Sequence, residues 1–326
     1  MRESTFSFWQ DAEFNALPDQ PLTPEDNAFR PPEAGELLEE TWVFEAFSLP
    51  ELYLRAVFRL SHSGRPSARF GLLWRVGGQS GQEIGNVPWD EVSASTACCQ
   101  VRIGHQEAAY RDEQYTLKLK SPRLSGELMF RPELPGWQPG IGRIAYGDRG
   151  RLSLAWKVPV PRAAVQGEIT LEGKTHTLNG VGYHDHRRCN FPLKEALAGA
   201  YIGRLYSEER TLLLADFWGN LLYSGKHVTA LYASRGRENC LSTPHVDLLI
   251  TGASQGQILL EARTGSQPMI DLALQASPAV GEEEYREGLV TGSARLFPAS
   301  GRLRLATHPE EEERVWGILE NLTIQR

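Results

Sequence analysis

The hydrophobic pattern of this chain has period two over most of its length. In Glu51–Leu60, Leu52, Leu54, Ala56, Phe58 and Leu60 fall on one side, while Tyr53, Arg55, Val57 and Arg59 fall on the other. Such alternation is the mark of a strand with one face in a core. Ala68–Val76, Ala94–Ile103, Gln114–Lys120 and Leu124–Phe130 repeat it, with Gly, Ser, Pro or Asn between them. After the Pro/Gly-rich segment Pro132–Gly142 come Arg151–Val158 and a hairpin. There Val165, Ile169 and Leu171 alternate with polar residues, and Glu172-Gly173-Lys174 turns the chain.

The same texture resumes in Tyr201–Tyr206 and Thr211–Trp218, joined by Ser207-Glu-Glu-Arg210. Further strands are predicted at His227–Ser234, His245–Thr251, Gln257–Ala262, Met269–Gln275, Leu289–Phe297, Gly301–Thr307 and Val315–Gln325. Helical periodicity is confined to a turn or two at Glu33–Thr41 and Lys194–Ala200. About fifteen short strands at this spacing read as an all-β sandwich or barrel, and they are too many for one small barrel. Two packed antiparallel barrels, 39–185 and 186–326, fit the pattern best. Residues 1–38, broken by Pro18, Pro21, Pro24, Pro31 and Pro32, form an irregular lead-in whose Phe6, Phe8, Trp9 and Phe14 are expected to pack on the body.

Composition narrows the function classes. With 326 residues, 41% hydrophobic and 23% charged, the chain has the make-up of a globular protein. Its net charge of −7 and lack of a dense Lys/Arg block disfavour a nucleic-acid partner. No apolar run is long enough for an integral membrane segment, and the start does not look like a secretory signal. Cys98, Cys99, Cys189 and Cys240 match neither a disulfide framework nor a CxxC zinc pair, and read as reduced thiols in a cytoplasmic protein.

The candidate chemistry is concentrated in Leu178-Asn-Gly-Val-Gly-Tyr-His-Asp-His-Arg-Arg-Cys189. On an extended strand Tyr183 and Asp185 share one face, and His184 and His186 the other. Three readings follow from the residues. Asp185 can be a general acid, its carboxylate disfavoured by an apolar cavity, with Tyr183 holding it by a hydrogen bond. His184, His186 and Cys189 can be metal ligands, although no further ligand pair at diagnostic spacing completes a site. Or the cluster satisfies backbone groups where one barrel passes into the next.

The wider context adds a resemblance. Trp156-Lys-Val-Pro-Val-Pro-Arg162, Val165-Gln-Gly-Glu-Ile169, Gly180-Val-Gly-Tyr-His-Asp-His186, Asn190-Phe-Pro-Leu193 and Tyr201-Ile-Gly-Arg204 resemble, in that order, the carotenoid 1,2-hydratases (hydroxyneurosporene synthases) and the fungal lipocalin-like Diels–Alderases. The resemblance covers residues 150 to 220 most clearly, and Gly-Tyr-x-Asp is its most specific part. It implies two lipocalin-like antiparallel β-barrels packed together, no cofactor and no metal, and a hydrophobic small-molecule substrate.

It also implies chemistry on a polyene, in which a Tyr-x-Asp pair protonates an alkene. Tyr183 and Asp185 match that pair, and Trp156 matches the Trp of a preceding His-x-Trp. Leu154 stands where that histidine would fall, and His184 and His186 replace the aromatic and small residues usual there. The resulting expectation has Asp185, Tyr183 and Trp156 as catalytic residues facing a mainly apolar cavity. His184, His186, Trp218, Trp74 and Arg204 would contact the guest or its wall. Arg204 and Asp216 could instead pair with each other.

Overall fold

The computed structural model describes residues 19–48, 52–147, 150–243, 246–251, 257–264, 267–276, 279–285, 289–306 and 308–324. Phe6, Phe8, Trp9 and Phe14 lie outside them. The described chain is all-β, with short 3-10 turns only. No helix among the described residues is long and apolar enough to cross a membrane.

The first sheet is built from β1 (Leu38–Ser48), β2 (Leu52–Ser63), β3 (Arg65–Val76), β4 (Gln79–Val87), β5 (Val92–Ala94), β6 (Gln100–Ile103), β7 (Gln106–Arg111), β8 (Gln114–Lys120), β9 (Leu124–Pro132), β10 (Arg143–Tyr146), β11 (Leu152–Leu171) and β12 (Lys174–Cys189). Its order is β4-β3-β2-β1-β12-β11-β9-β8-β7-β6-β5, antiparallel throughout, with β10 beside β11. The sheet rolls around one core to which β1, β2, β3, β6, β7, β8, β9, β11 and β12 all contribute, and β3 comes against β6.

The predicted inward face of β2 is confirmed: Leu52, Leu54, Ala56, Phe58 and Leu60 all belong to that core. Burying each leucine or phenylalanine contributes about 1.5–3 kcal/mol. Edge-on contacts of Phe44 with Phe58 and Phe130 fill the middle.

The second sheet comprises β13 (Leu197–Tyr206), β14 (Arg210–Gly219), β15 (His227–Arg235), β16 (Glu238–Thr243), β17 (Asp247–Thr251), β18 (Gln257–Thr264), β19 (Gln267–Ala276), β20 (Gly281–Tyr285), β21 (Gly292–Leu305) and β22 (His308–Ile324). Its order is β16-β15-β14-β13-β22-β21-β19-β18-β17, with β20 beside β21. It has its own core, including Leu205, Leu212, Leu214, Leu231, Leu272 and Leu319. The architecture is that of two consecutive lipocalin-like antiparallel β-barrels. The chain divides into a unit of residues 19–144 and 152–191 and a unit holding residues 192–326.

Several local expectations are corrected. Glu33–Thr41 carries no helix, because β1 begins at Leu38; Lys194–Ala200 keeps only the 3-10 turn Leu193–Glu195 before β13 begins. Ala94–Ile103 is two short strands separated by bends at 96–99. Conversely, Leu152–Leu171 is a single strand that runs through Pro159 and Pro161. Two register shifts against β12, between Lys157 and Val160 and between Val160 and Ala163, absorb the missing donors. The β11–β12 turn has Glu172 at φ 50° and Gly173 at φ 83°, the backbone of a two-residue hairpin whose twist suits its strands. The strand carrying the central stretch ends at Cys189, so His186 and its neighbours belong to the first barrel.

Candidate functional site

The central stretch lies in the middle of the first sheet, paired with β1 on one side and β11 on the other. Its two glycines are needed for close packing. A side chain on Gly182 would meet Val165 at 2.3 Å and Phe130 at 2.6 Å, and one on Gly180 would meet the Phe47 carbonyl at 1.9 Å. From Leu178, a core residue, strict alternation carries Gly182, His184 and His186 to the core side of the sheet. Tyr183, Asp185 and Arg187 fall on the opposite face.

This reverses the expected orientation: His184 and His186, not Tyr183 and Asp185, point into the first barrel. His184 stacks on Phe44 with ring centroids 3.9 Å apart, and His186 stacks on Trp42 at 4.8 Å. The same alternation parts the metal-ligand reading, since Cys189 falls on the face away from His186. Among the described residues no group of three His, Cys, Asp or Glu side chains could hold a metal ion.

The face away from the core is nevertheless covered. Val43, Glu45, Phe47, Tyr53, Arg55, Val57, Tyr183 and Asp185 are all at most 5% exposed. Tyr183 Oη donates to Asp185 Oδ2 at 2.9 Å, and Arg187 clamps the same carboxylate with Nε to Oδ1 at 2.9 Å and Nη2 to Oδ2 at 2.8 Å. On the neighbouring strands, Glu45 accepts from Arg55 at 2.6 Å and from Tyr53 at 3.1 Å. Glu45 stands directly opposite Tyr183 in the register. Two buried carboxylates, each held by an arginine and a tyrosine, thus sit side by side. Burial of a carboxylate is tolerable only with such partners. Trp156, opposite Arg187 on β11, shares this face and packs edge-on against Trp137 at 5.3 Å.

On the core-facing side the chain supplies a second polar group. Burial lowers the pKa of His184 to about 3, outweighing the Val43 carbonyl and the Asp185 charge, which pull the other way. The neutral ring then donates from Nδ1 to Val43 O at 2.9 Å and accepts at Nε2 from Asn27 Nδ2 at 2.9 Å. Both ring nitrogens of His186 meet acceptors: Nδ1 lies 3.1 Å from Asp26 O and Nε2 lies 2.9 Å from Glu40 Oε1. His186 and Glu40 border a cavity of about 630 Å³ whose wall also holds Asp26, Arg30, Arg143, Lys157 and Arg188. That wall is charged, and Tyr183 and Asp185 do not line it.

Trp42, a tryptophan whose sequence setting suits the core, packs there. Asn27, Glu40 and Asp26 were not singled out; they sit in or beside the lead-in, and their distant partners reveal them. Trp74 is packed in the first core, with the Arg123 guanidinium 5.3 Å from its ring, and it does not border that cavity. Trp218 and Arg204 lie in the second unit. Trp218 stands against Tyr201 at 5.1 Å. Arg204 does not pair with Asp216: the hairpin register sets Arg204 opposite Leu213 and Tyr201 opposite Asp216, which sends the two charges to opposite faces. Arg204 instead bonds Glu320 at 2.8 Å, and Asp216 bonds His227 at 2.8 Å. Burial pushes the Asp216 carboxyl up, with His227 opposing it.

Neither a family profile nor a curated protein sequence matches the chain. Solved structures do match over nearly its whole length. CghA, crystallised with Sch210972, superposes with a TM-score of 0.66 at 14% identity, covering 98% of this chain and 99% of that one. NE1406 of Nitrosomonas europaea gives 0.64 at 13%, covering 94% and 100%. Kievitone hydratase of Nectria haematococca gives 0.62 at 11%, covering 95% and 94%. At these identities the similarity establishes a shared two-barrel fold, in keeping with the resemblance carried by Gly182-Tyr-His-Asp185.

Proposed function

We propose that the chain is a cofactor-independent enzyme acting on a hydrophobic polyene or isoprenoid-like metabolite. Its reaction is alkene protonation leading to hydration or intramolecular cyclisation, Diels–Alder-type ring formation included. The observation that carries this reading is the Tyr183–Asp185 hydrogen bond of 2.9 Å on a fully buried sheet face. It is supported by the fold shared with a hydratase and with a protein that binds Sch210972.

In the arrangement described, Asp185 accepts from both Tyr183 and Arg187. To act as an acid it must take up a proton and release the Arg187 fork. The alkene π electrons then take that proton, and the carboxylate left behind faces the carbocation, with the Tyr183 and Trp156 rings able to stabilise it. Water, or a second double bond of the same molecule, supplies electrons to the cation. The proton lost in that step returns to Asp185, so the residue is regenerated. In a pericyclic variant the protein chiefly holds the guest in a reactive conformer.

The Arg187 clamp favours a second reading, a non-catalytic lipocalin-like lipid-binding or carrier protein in which Asp185 is only a buried ion-pair partner. Mass spectrometry of the small molecule that co-purifies, before and after long incubation with the protein, separates the two. Conversion to an isomer, or to a product 18 mass units heavier (about one added water), supports the enzyme. Recovery of the molecule unchanged supports the carrier.

A further inference from the structure

The 3-10 turn Pro24–Asn27 rests on core-side residues of the first barrel, meeting Trp42, Tyr115, His184 and His186 at what we call its mouth. On one side Asp19 anchors the segment, accepting from Trp137 Nε1 at 2.9 Å and from Gly140 N at 3.0 Å; on the other, Phe29 N donates to Ser95 O at 2.8 Å. Between those anchors the turn meets the mouth through polar contacts. Trp42 Nε1 donates to Asn27 O at 3.1 Å, His186 Nδ1 to Asp26 O at 3.1 Å, and Lys157 Nζ to Asp26 Oδ1 at 2.5 Å. His184 Nε2 accepts from Asn27 Nδ2.

The mouth therefore offers three donors and two acceptors, His184 Nε2 and Tyr115 Oη; Lys157 already holds a carboxylate, and Trp42 and His186 hold backbone carbonyls. Burial pushes the Asp26 carboxyl up, but the Lys157 and Thr23 hydrogen bonds and the Lys157 charge outweigh it and hold the group below its ordinary range. Cavities lie on both sides of this single turn. The 630 Å³ cavity reaches Asp26, Lys157 and His186. A second, of about 420 Å³, reaches Thr23, Pro24 and Tyr115 and is walled by Leu22, Tyr110, Leu134 and Pro159 on one part and by Asp112, Glu113 and Arg131 on another. Both are within the size range of small-molecule sites. Thr23, Pro24 and Glu25 are exposed to solvent, so little apolar burial holds the turn down.

We propose that residues 24–27 are an internal ligand occupying a binding site for an apolar carboxylate. When the turn swings out between its anchors, the guest's carboxylate takes the Trp42, His186 and Lys157 donors. Its hydrocarbon lies along the aromatic and proline wall beside Tyr115. The turn and the guest compete for the same donors, so weakening the turn strengthens binding. This site is on the core side of β12, opposite Asp185, and does not rest on the enzymatic reading.

The test uses the full chain with cis-parinaric acid, a fluorescent tetraene carboxylate, and its methyl ester. Asp26→Ala frees Lys157 and should bind the acid about tenfold tighter than the wild type, the worth of one charge-assisted hydrogen bond. The ester, lacking the charge, should not gain, and Lys157→Ala added to Asp26→Ala should abolish the gain. A gain below roughly threefold, an equal gain for the ester, or no binding of the acid to either protein overturns the proposal. Hydrogen exchange on the wild type gives a check that needs no variant. The amides of Asp26 and Ala28, bonded at 3.1 Å to Thr23 O and Glu25 O, should exchange faster once acid saturates the protein. Unchanged or slower exchange in the saturated protein overturns it as well.

Discussion

Asn27 and His184 are 157 positions apart in the chain, yet the amide nitrogen of one lies 2.9 Å from the ring nitrogen of the other. The contact ties the irregular lead-in to the central strand of the first barrel. The Val43 carbonyl, which can only accept, holds the His184 proton on Nδ1 and leaves Nε2 to accept from Asn27.

Asn27→Ala should therefore destabilise the protein although Asn27 lies in no regular strand. It leaves the His184 acceptor and the Tyr115 hydroxyl, 3.2 Å from the same amide, without that donor in a buried setting. The expected cost is about 1–3 kcal/mol. Urea denaturation with an unchanged m-value measures it. A loss below roughly 0.5 kcal/mol, the range of an ordinary surface change, would show that the contact contributes little.

His184 makes stability depend on pH. Its folded pKa of about 3 lies below the ordinary histidine value of 6.5, so between those values the unfolded chain binds more protons than the folded one. Stability is then fully present above 6.5, falls as pH is lowered toward 3, and loses up to about 1.4 kcal/mol per pH unit in that window. His184→Gln should flatten this part of the profile. A profile unchanged by the substitution would assign the slope to other groups.

Gly182→Ala should be costly because its Cβ has nowhere to go. Phe130 and Val165 fill the space, and overpacking a close-packed core costs about 1–3 kcal/mol. Thermal unfolding checks it. Phe130→Leu added to Gly182→Ala should recover part of the loss, and independent, additive effects would contradict the packing account.

Breaking the Asp185 clamp by removing one partner should cost more than removing both. Arg187→Met leaves Asp185 buried with Tyr183 alone, at a cost of about 3–5 kcal/mol. Asp185→Leu combined with Arg187→Met should be less destabilised than Arg187→Met alone. Denaturation of the two variants decides it, and the opposite order would mean the pair is a net stabiliser.

Much of the fold was legible because alternation is a local property. Leu52 to Leu60 declares its own core face, and the Glu172-Gly173 turn declares its own hairpin. The orientation of Tyr183 and Asp185 was misread because alternation separates two faces without saying which is inward. The signal lay at the far end of the same strand: Leu178 is apolar between Thr177 and Asn179, and no bulge on β12 interrupts the count from Leu178 to His186. The Arg204–Asp216 pairing failed on register, which the Tyr206–Thr211 closing pair determines. The turn over the barrel mouth had a local signal in Thr23-Pro24-Glu25-Asp26, where Asp26 accepts from Thr23 N at 2.9 Å, but nothing local announced its docking on Lys157, Trp42, His184 and His186.

The central claim is that Asp185 moves a proton on an unsaturated guest. The measurement that tests it most directly is turnover of the co-purifying metabolite by Asp185→Asn, followed by mass spectrometry on protein shown by circular dichroism to be folded. Tyr183→Phe, which keeps the carboxylate, serves as the companion variant. The account predicts that Asp185→Asn loses at least about 100-fold in rate while still binding the metabolite, and that Tyr183→Phe loses less. Turnover by folded Asp185→Asn at the wild-type rate would contradict it.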